Sequence, residues 1–214
     1  MKKESVIRVP PDGTPPVPVF DFGGVLFDWN PRYLFRRFFD GDGEGMERFL
    51  AETDFDHWNA ALDRGQSFAD AVRAQGLRFP QYAEPIRAFD SRWEETVRGP
   101  MPGMENLLRR MHNAGIPLYG LSNTSAEKFY ILRRSYPLLG WFSGILLSGE
   151  VGITKPDPRI FEKFLERTGL RKESLLFIDD SQANIAAALS IGWNAVQFTS
   201  AEELARKLGA CKIL

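Results

Sequence analysis

Carboxylate, hydroxyl, amide and ammonium side chains follow short apolar segments at four places in this 214-residue chain. In chain order they are Asp21; Ser122 with Asn123; Lys155; and Asp179 with Asp180. Three carboxylates held close together repel one another and raise each other's pKa unless a cation lies among them. Because the set contains no histidine or cysteine, its oxygen ligands favour a hard cation such as Mg²⁺.

The other members of the set suit a phosphoryl group. Lys155, Ser122 and Asn123 supply charge and hydrogen bonds for phosphoryl oxygens, and Gly23 and Gly24 let the backbone approach a ligand closely and point N–H groups at it. Phosphoryl transfer needs positioning, charge stabilisation and an oxygen nucleophile, which Asp21 can provide. Each residue alone has an ordinary interpretation as a turn residue, a helix cap or a solvated lysine; the ordered set is what favours a site.

The apolar segments alternate with helical patterns, which predicts an α/β fold with a doubly wound parallel sheet. We expect strands at residues 17–20, 116–121, 144–147, 175–178 and 195–198, and helices at 103–113, 124–136, 159–169, 183–190 and 201–208. In an open parallel sheet, ligands bind at the carboxyl ends of the strands. The alternation therefore brings the four groups to one edge of the sheet.

Between residues 31 and 97 the pattern changes to apolar residues at helical spacing, with no convincing strand. We therefore expect a catalytic core formed by residues 1–29 and 101–214, with an inserted all-helical cap formed by residues 30–100. Residues 1–16 contain four prolines. The fixed φ and missing N–H of proline favour an extended leader there.

Composition limits the classes of function. Lys+Arg 27 against Asp+Glu 28 give a formal net charge of -1, which argues against a nucleic-acid-binding face and against a membrane-surface role. The single cysteine, Cys211, cannot form a disulfide within the chain. No apolar run approaches the roughly 18 residues of a membrane span or resembles an export signal. We expect a cytoplasmic protein that acts on a small molecule, with no prediction of its oligomeric state.

The same residues resemble the four motifs of the haloacid dehalogenase (HAD) superfamily, in the family's order. Residues 20–26, with Asp21, are similar to the first motif, and residues 121–124, with Ser122, are similar to the second. Lys155 before a proline is similar to the third, and residues 177–180 with Asn184 are similar to the fourth. The resemblance implies a Rossmann-like core and places the 30–100 insert with the helical caps of the family's phosphatase branch, which close over the site and select the substrate.

The resemblance also implies residue roles. Asp21 would become an aspartyl-phosphate, and Ser122 and Lys155 would bind the transferring group. Mg²⁺ would be held by Asp21, the Gly23 carbonyl and Asp180. Asp179 and Asn184 would support these groups, and whether Asp179 or Asp180 touches the metal is left open.

Position 23 departs from the family's usual phosphatase pattern. Most of those enzymes carry a second aspartate two residues after the nucleophile, which protonates the leaving group and then activates water. Gly23 retains a backbone carbonyl for a metal but supplies no proton, and the loss of a general acid or base typically costs on the order of 10²–10⁴-fold in rate. A good leaving group, water, or an acid from the cap would have to compensate; His57 and Asp28 are the guesses that the sequence offers.

We therefore predict a Mg²⁺-dependent phosphatase that hydrolyses a small phosphomonoester, with sugar phosphates among the candidates, through an aspartyl-phosphate on Asp21. One alternative is a metal-independent 2-haloacid dehalogenase, which needs no acid to expel halide but leaves the pair Asp179 and Asp180 unexplained. A phosphate-shuttling mutase needs the missing acid even more than a hydrolase does. Another alternative is a catalytically silent phosphate-binding module, for which Gly23 is the only support.

Overall fold

The computed structural model describes residue 7 and residues 13–214, so most of the predicted leader lies outside the described residues. The strands are β1 (Val17–Phe20), β2 (Phe27–Trp29), β3 (Val97–Pro100), β4 (Leu118–Ser122), β5 (Phe142–Leu147), β6 (Leu175–Asp179) and β7 (Asn194–Gln197). The helices are α1 (Arg32–Phe35), α2 (Gly43–Glu52), α3 (Phe55–Asp63), α4 (Phe68–Arg78), α5 (Ala83–Ser91), α6 (Met104–Asn113), α7 (Ala126–Ser135), α8 (Ser148–Val151), α9 (Pro158–Thr168), α10 (Gln182–Ser190) and α11 (Ala201–Ala210). Short 3₁₀ helices lie at Arg36–Phe38, Pro80–Tyr82, Trp93–Thr96, Pro137–Trp141 and Lys172–Ser174.

Five parallel strands form the central sheet in the order β5-β4-β1-β6-β7. The chain runs outward from β1 through β4 to β5 and then crosses to the other side of β1 for β6 and β7. This reversal of direction is the topological switch point at which ligands bind in open α/β sheets. The predicted α/β fold with a doubly wound parallel sheet is therefore confirmed.

Alternate residues of the central strands face opposite sides of the sheet, as the period of a strand requires. On β1, Val19 packs in the same cluster as Phe161 and Trp193, while Phe20 packs in the cluster on the other face. All five residues of β6 are buried. Such strands read as continuous apolar runs because helices cover both faces of the sheet.

Helices α1 to α5 form the insert, whose interior is a cluster of aromatic rings. Phe35, Phe55 and Trp58 each lie within 5.6 Å of the Phe89 ring, measured between centroids. Edge-to-face and tilted contacts of this kind add stability beyond the burial of apolar area. These rings belong to a buried apolar cluster that continues into the core at Phe22 and Leu107.

A two-stranded antiparallel ribbon, β2 with β3, links the insert to the core, and Trp29 lies opposite Val97. The sequence did not predict this ribbon, since only helices were expected within residues 30–100. The short segment of β3 contains glycine and proline, which are depleted in strands, and its pairing partner lies about 70 residues earlier. Within the described residues, no helix combines the length and apolar character needed to cross a membrane.

Candidate active site

Asp21 lies directly after the central strand β1, and its position is set by the sheet. Its backbone N–H donates to the Ile178 carbonyl of β6 at 2.9 Å, which continues the ladder by one residue. The side chain is 11% exposed, and its Oδ1 accepts from the Phe22 N–H at 2.7 Å. Burial raises the pKa of Asp21 to about 7; Lys155 opposes this rise and Asp179 adds to it. The nucleophile predicted from the sequence is therefore a largely buried carboxyl that needs further positive charge to stay ionised.

Lys155 is the ammonium that holds the carboxylates together. Its side chain is fully buried, and its Nζ lies 2.8 Å from Asp21 Oδ1 and 2.7 Å from Asp179 Oδ2. The third contact is a hydrogen bond to the Leu121 carbonyl at 2.9 Å. Burial alone would lower the pKa of Lys155, but the two carboxylates outweigh it and the pKa lies above its ordinary value. The ammonium is thus charged and fixed by three acceptors.

Asn123 bonds to the backbone of Lys155 at both ends of its amide. Its Oδ1 accepts from the Lys155 N–H at 2.8 Å, and its Nδ2 donates to the Lys155 carbonyl at 2.9 Å. The sequence analysis assigned this amide to phosphate. The structure instead gives it the task of positioning the lysine loop, because a side chain near the end of β4 can reach a loop 32 residues later.

Ser122 is almost completely buried, at 1% exposure, and its Oγ lies 2.8 Å from the Thr124 hydroxyl. Ser148, which the sequence analysis did not identify, joins this loop to the cap. Its Oγ accepts from the Thr124 N–H at 3.0 Å and donates to the Asp63 carbonyl at the end of α3 at 2.5 Å. One hydroxyl therefore connects the second-motif loop, the sheet and the cap.

The two aspartates after β6 have different surroundings. Asp179 is completely buried, and its carboxylate accepts from Lys155, from the Ser181 N–H at 2.8 Å and from Asn184 Nδ2 at 3.0 Å. Asp180 is exposed, and its carboxylate lies against Gly24. Asp179 thus organises the site, while Asp180 faces solvent at its rim.

Gly24 makes room for Asp180. Its φ is +75°, and a Cβ at this position would lie 2.5 Å from Asp180 Oδ2. The Gly24 N–H donates to the Phe27 carbonyl at 2.9 Å, so it is not directed at a phosphate as the sequence analysis expected. The tight turn after β1 uses this N–H for its own hydrogen bond, which leaves it unavailable to a ligand.

The three acidic residues form a cluster that suits a hard cation. Asp21, Asp179 and Asp180 each offer a carboxylate oxygen, and these atoms all lie within 4.8 Å of one another. The donor set is oxygen only, which Mg²⁺ prefers. Three carboxylates against the single ammonium of Lys155 also leave an excess of negative charge that a divalent cation would balance. The residues present therefore fit Mg²⁺.

A cavity of about 90 Å³ lies between this cluster and the cap. Its floor is formed by Phe22 and Gly23 after Asp21 and by residues 123–125 after Ser122. Its remaining walls are Phe27, Trp29, Asn59, Asp63, Phe68, Trp93, Val97 and Leu132.

Asp63, at the end of α3, is the acidic side chain that the cap brings to this cavity. Its Oδ2 accepts from Asn59 Nδ2 at 3.1 Å. Burial, reinforced by the charge of Asp21, raises the pKa of Asp63 to about 7. Sequence reasoning missed Asp63 because nothing local distinguishes it from other polar residues of a cap helix.

The two acids guessed from the sequence lie elsewhere. His57 is exposed and lines a separate depression with Thr53 and Gln66. Asp28 accepts a hydrogen bond from the Tyr33 hydroxyl at 2.8 Å. Neither residue lines the cavity beside Gly23.

Comparison with known proteins identifies the family. The model for haloacid dehalogenase-like hydrolases matches residues 18–192. A sesquiterpene phosphatase of Aspergillus oryzae is 28% identical over 182 residues, which is 85% of this chain and 88% of that protein. A phosphorylated carbohydrates phosphatase of Thermotoga maritima is 24% identical over 81% of this chain and 80% of its own length.

Among solved structures, a HAD family enzyme of Bacteroides thetaiotaomicron in complex with magnesium and inorganic phosphate has a TM-score of 0.69 at 21% identity. The match covers 91% of this chain and 99% of that one. The chain belongs to the haloacid dehalogenase-like hydrolases.

Proposed function

We propose that this hydrolase is a Mg²⁺-dependent phosphatase that cleaves a small phosphomonoester through an aspartyl-phosphate on Asp21. The observation that carries the proposal is the buried Asp21–Lys155–Asp179 network with Asp180 at its rim. Such a site carries too much negative charge by itself and binds a phosphate ester only with a cation present. The magnesium and phosphate named for the Bacteroides thetaiotaomicron enzyme support this assignment.

Each residue then has a role in the reaction. Asp21 attacks phosphorus, the ester oxygen leaves, and water hydrolyses the resulting acyl phosphate to regenerate the carboxylate and release phosphate. Lys155 and Ser122 bind phosphoryl oxygens, while Asp179, Asn123 and Asn184 hold the lysine and its loop in place. Asp21, Asp180 and the Gly23 carbonyl would hold Mg²⁺, which neutralises phosphoryl and carboxylate charge when bound.

The cavity argues against the dehalogenase alternative. A 2-haloacid is an anion, and its carboxylate would need a cationic partner beside the nucleophile. The residues that line the cavity include no lysine, arginine or histidine, and Asp63 is acidic. Without a metal, an anionic substrate would meet three carboxylates balanced only by the ammonium of Lys155.

The test is hydrolysis of acetyl phosphate, with and without Mg²⁺, by the wild-type chain and by Asp21→Asn. We expect phosphate release that requires Mg²⁺ and disappears in the variant, with acid-stable phosphate trapped on the wild-type protein only. Asp70→Asn, on the exposed surface of α4, is the matched control and should behave as wild type.

Halide release from a 2-haloacid without metal would establish the dehalogenase instead. Phosphate binding without turnover would establish the silent module.

A further inference from the structure

The walls of the cavity beside the nucleophile are largely aromatic and aliphatic. Phe22, Phe27, Phe68, Trp93 and Leu132 are each at most 6% exposed and line the cavity. Trp29 and Val97 of the ribbon complete this surface and are half-buried. A ligand group that enters the cavity therefore exchanges water for hydrocarbon on most sides.

The polar side chains of the cavity are mostly engaged with the protein. The Asn123 amide bonds to the Lys155 backbone, the Thr124 hydroxyl bonds to Ser122, and the Ser125 hydroxyl accepts from the Glu127 N–H at the start of α7. The pair Asn59 and Asp63 is what faces the ligand with polar atoms. A sugar carries several hydroxyls, and burying hydroxyls without partners is costly.

The cavity adjoins the residues that would carry the reaction. Phe22 and Gly23 directly follow Asp21, and residues 123–125 directly follow Ser122, so the floor of the cavity is formed by the loops that would hold the phosphoryl group. A Cβ at Gly23 would meet no atom within 4 Å. Because Gly23 has no side chain, this part of the cavity stays open beside Asp21.

We infer that the substrate is the monophosphate ester of an apolar aliphatic alcohol, whose hydrocarbon chain lies in this cavity. The inference rests on the proposed phosphatase function and specifies its leaving group. It replaces the sugar phosphates suggested by the sequence, because the cavity offers a hydrocarbon surface and one polar pair where a sugar requires many polar partners.

The experiment compares kcat/KM for ethyl, butyl and hexyl phosphates with that for a hexose phosphate, and uses acetyl phosphate as the reference for the phosphoryl site alone. We expect kcat/KM to rise roughly threefold per methylene until the cavity is filled, and hexyl phosphate to exceed the hexose phosphate by on the order of 100-fold. Equal or better use of the hexose phosphate, or no effect of chain length, would overturn the inference. Failure to hydrolyse acetyl phosphate would instead reject the phosphatase itself.

Two tryptophan variants connect the preference to the cavity. Trp29→Ala should lower the ratio of hexyl to acetyl phosphate turnover by about tenfold, since it removes one apolar wall. Trp141→Ala is the matched control, because Trp141 is also half-buried but stacks on His112 away from the cavity. Equal changes in both variants would contradict the assignment.

Asp63 supports a second inference from a different observation. It is the titratable side chain among the residues that line the cavity, and its position is fixed by Asn59 through its carboxylate and by Ser148 through its backbone carbonyl. The charged groups that act on it are Asp21, Arg64 and Lys155. An alkoxide is a poor leaving group, and Gly23 supplies no acid.

We propose that Asp63 is the general acid and base that the first motif lacks. As the bond between phosphorus and the ester oxygen breaks, the Asp63 carboxyl gives its proton to that oxygen and the alcohol leaves. The Asp63 carboxylate then takes a proton from the water that attacks the aspartyl-phosphate, and the bond between phosphorus and Asp21 breaks. Phosphate leaves, and both side chains return to their starting states. The raised pKa of Asp63, about 7, keeps the proton available near neutral pH.

The test of this role depends on the leaving group. Asp63→Asn should reduce kcat for hexyl phosphate on the order of 10²–10⁴-fold, and acetyl phosphate, whose leaving group needs no proton, far less. The alkaline limb of the kcat–pH profile should disappear in the variant. Gly23→Asp, at a position where a Cβ meets no atom within 4 Å, should restore part of the hexyl phosphate activity when added to Asp63→Asn. Asp56→Asn, on the exposed face of the same helix, is the control, and an equal loss for both substrates in Asp63→Asn would reject proton transfer.

Discussion

The active site has two sides that are built from opposite kinds of residue. On the charged side, Asp21, Lys155 and Asp179 are almost fully buried and linked by contacts of 2.7–2.8 Å. On the cap side, Phe68 and Trp93 present rings to the neighbouring cavity, and they belong to a buried apolar cluster that the insert shares with the core. The charged side is stabilised by paired charges, so removing one partner strongly destabilises the folded chain. The cap side is stabilised by buried apolar area, so the loss of stability is proportional to the apolar area removed.

The charged side and the apolar wall are positioned by different parts of the chain, so the substrate pocket can change while the charged residues stay in place. The charges come from the ends of hydrogen-bonded strands, so their spacing follows the register of the sheet. The apolar wall comes largely from the insert, which is joined to the sheet by the β2–β3 ribbon, the Ser148 contact and a shared apolar cluster. Side chains of the insert that line the cavity can therefore change without altering the strand register that places Asp21.

Removal of the central ammonium should produce the largest effect. Lys155→Met leaves Asp21 and Asp179 buried beside one another without a counter-charge, so we expect a loss of about 3–5 kcal/mol in the free energy of unfolding. Phosphatase activity should fall to background. Urea unfolding at neutral pH measures the first effect, and Lys163→Met on the exposed surface of α9 is the control. Stability equal to that of wild type would show that the network is not paired as described.

A methyl group on Gly24 should perturb the rim of the charged side. Gly24→Ala places a side chain at φ +75° and 2.5 Å from the Asp180 carboxylate, so the backbone strain is about 1–2 kcal/mol and Asp180 must move. We expect the Mg²⁺ concentration at half-maximal activity to rise by roughly tenfold or more.

Gly13→Ala is a close control for that change. Gly13 has the same φ of +75°, but a Cβ there would meet nothing within 4 Å. It should therefore show a strain effect on stability without any change in Mg²⁺ dependence. If both variants alter Mg²⁺ dependence equally, Asp180 is not the residue that Gly24 accommodates.

The smallest expected effect concerns stability on the cap side. The pKa of Asp63 is about 7 in the folded chain against an ordinary value of 3.8. Between these values the folded chain keeps a proton that the unfolded chain loses, so stability falls as pH rises through that window. Asp63→Asn should therefore raise the melting temperature at pH ~8, by roughly 2–8 °C if the partly exposed carboxyl costs about 1–2 kcal/mol.

The same variant should show little change at pH ~4, where Asp63 is neutral in the folded chain and close to half-protonated in the unfolded one. Thermal unfolding at the two pH values is the measurement. A stabilisation that does not depend on pH would mean that the effect comes from packing and not from the charge. Because the proposed acid is removed, the more stable variant is also the less active one on alkyl phosphates.

The sequence predicted the parts of the site that depend on chain order and local pattern. Apolar runs followed by Asp21, Ser122 and Asp179 were sufficient to predict strand ends that meet at one edge, because parallel strands present their carboxyl ends together. Lys155 followed from its place in the loop after β5. The contacts of Asn123 with the Lys155 backbone were not predicted, because they join it to a loop that only folding brings near.

The remaining features depend on contacts across long separations. Gly24 leaves room for the carboxylate of Asp180, which lies more than 150 residues later in the chain. No local signal in the sequence indicates that these two residues come close together. In the sequence, Asp63 resembles other polar residues of the cap helices. Its location depends on Ser148, 85 residues away, whose hydroxyl holds the end of α3 against the core. The ribbon strand β3 likewise forms because β2 is beside it.

The sequence by itself determined the fold class and the family, and it predicted which charged groups meet at one edge of the sheet, since hydrophobic periodicity and motif order are local properties of the chain. Only the tertiary structure decided which aspartate faces solvent, which side chains line the cavity beside Asp21 and which acid shares that cavity with Gly23. These outcomes depend on how the cap packs over the sheet. That packing is the sum of many weak contacts between distant residues, and no short stretch of sequence encodes it.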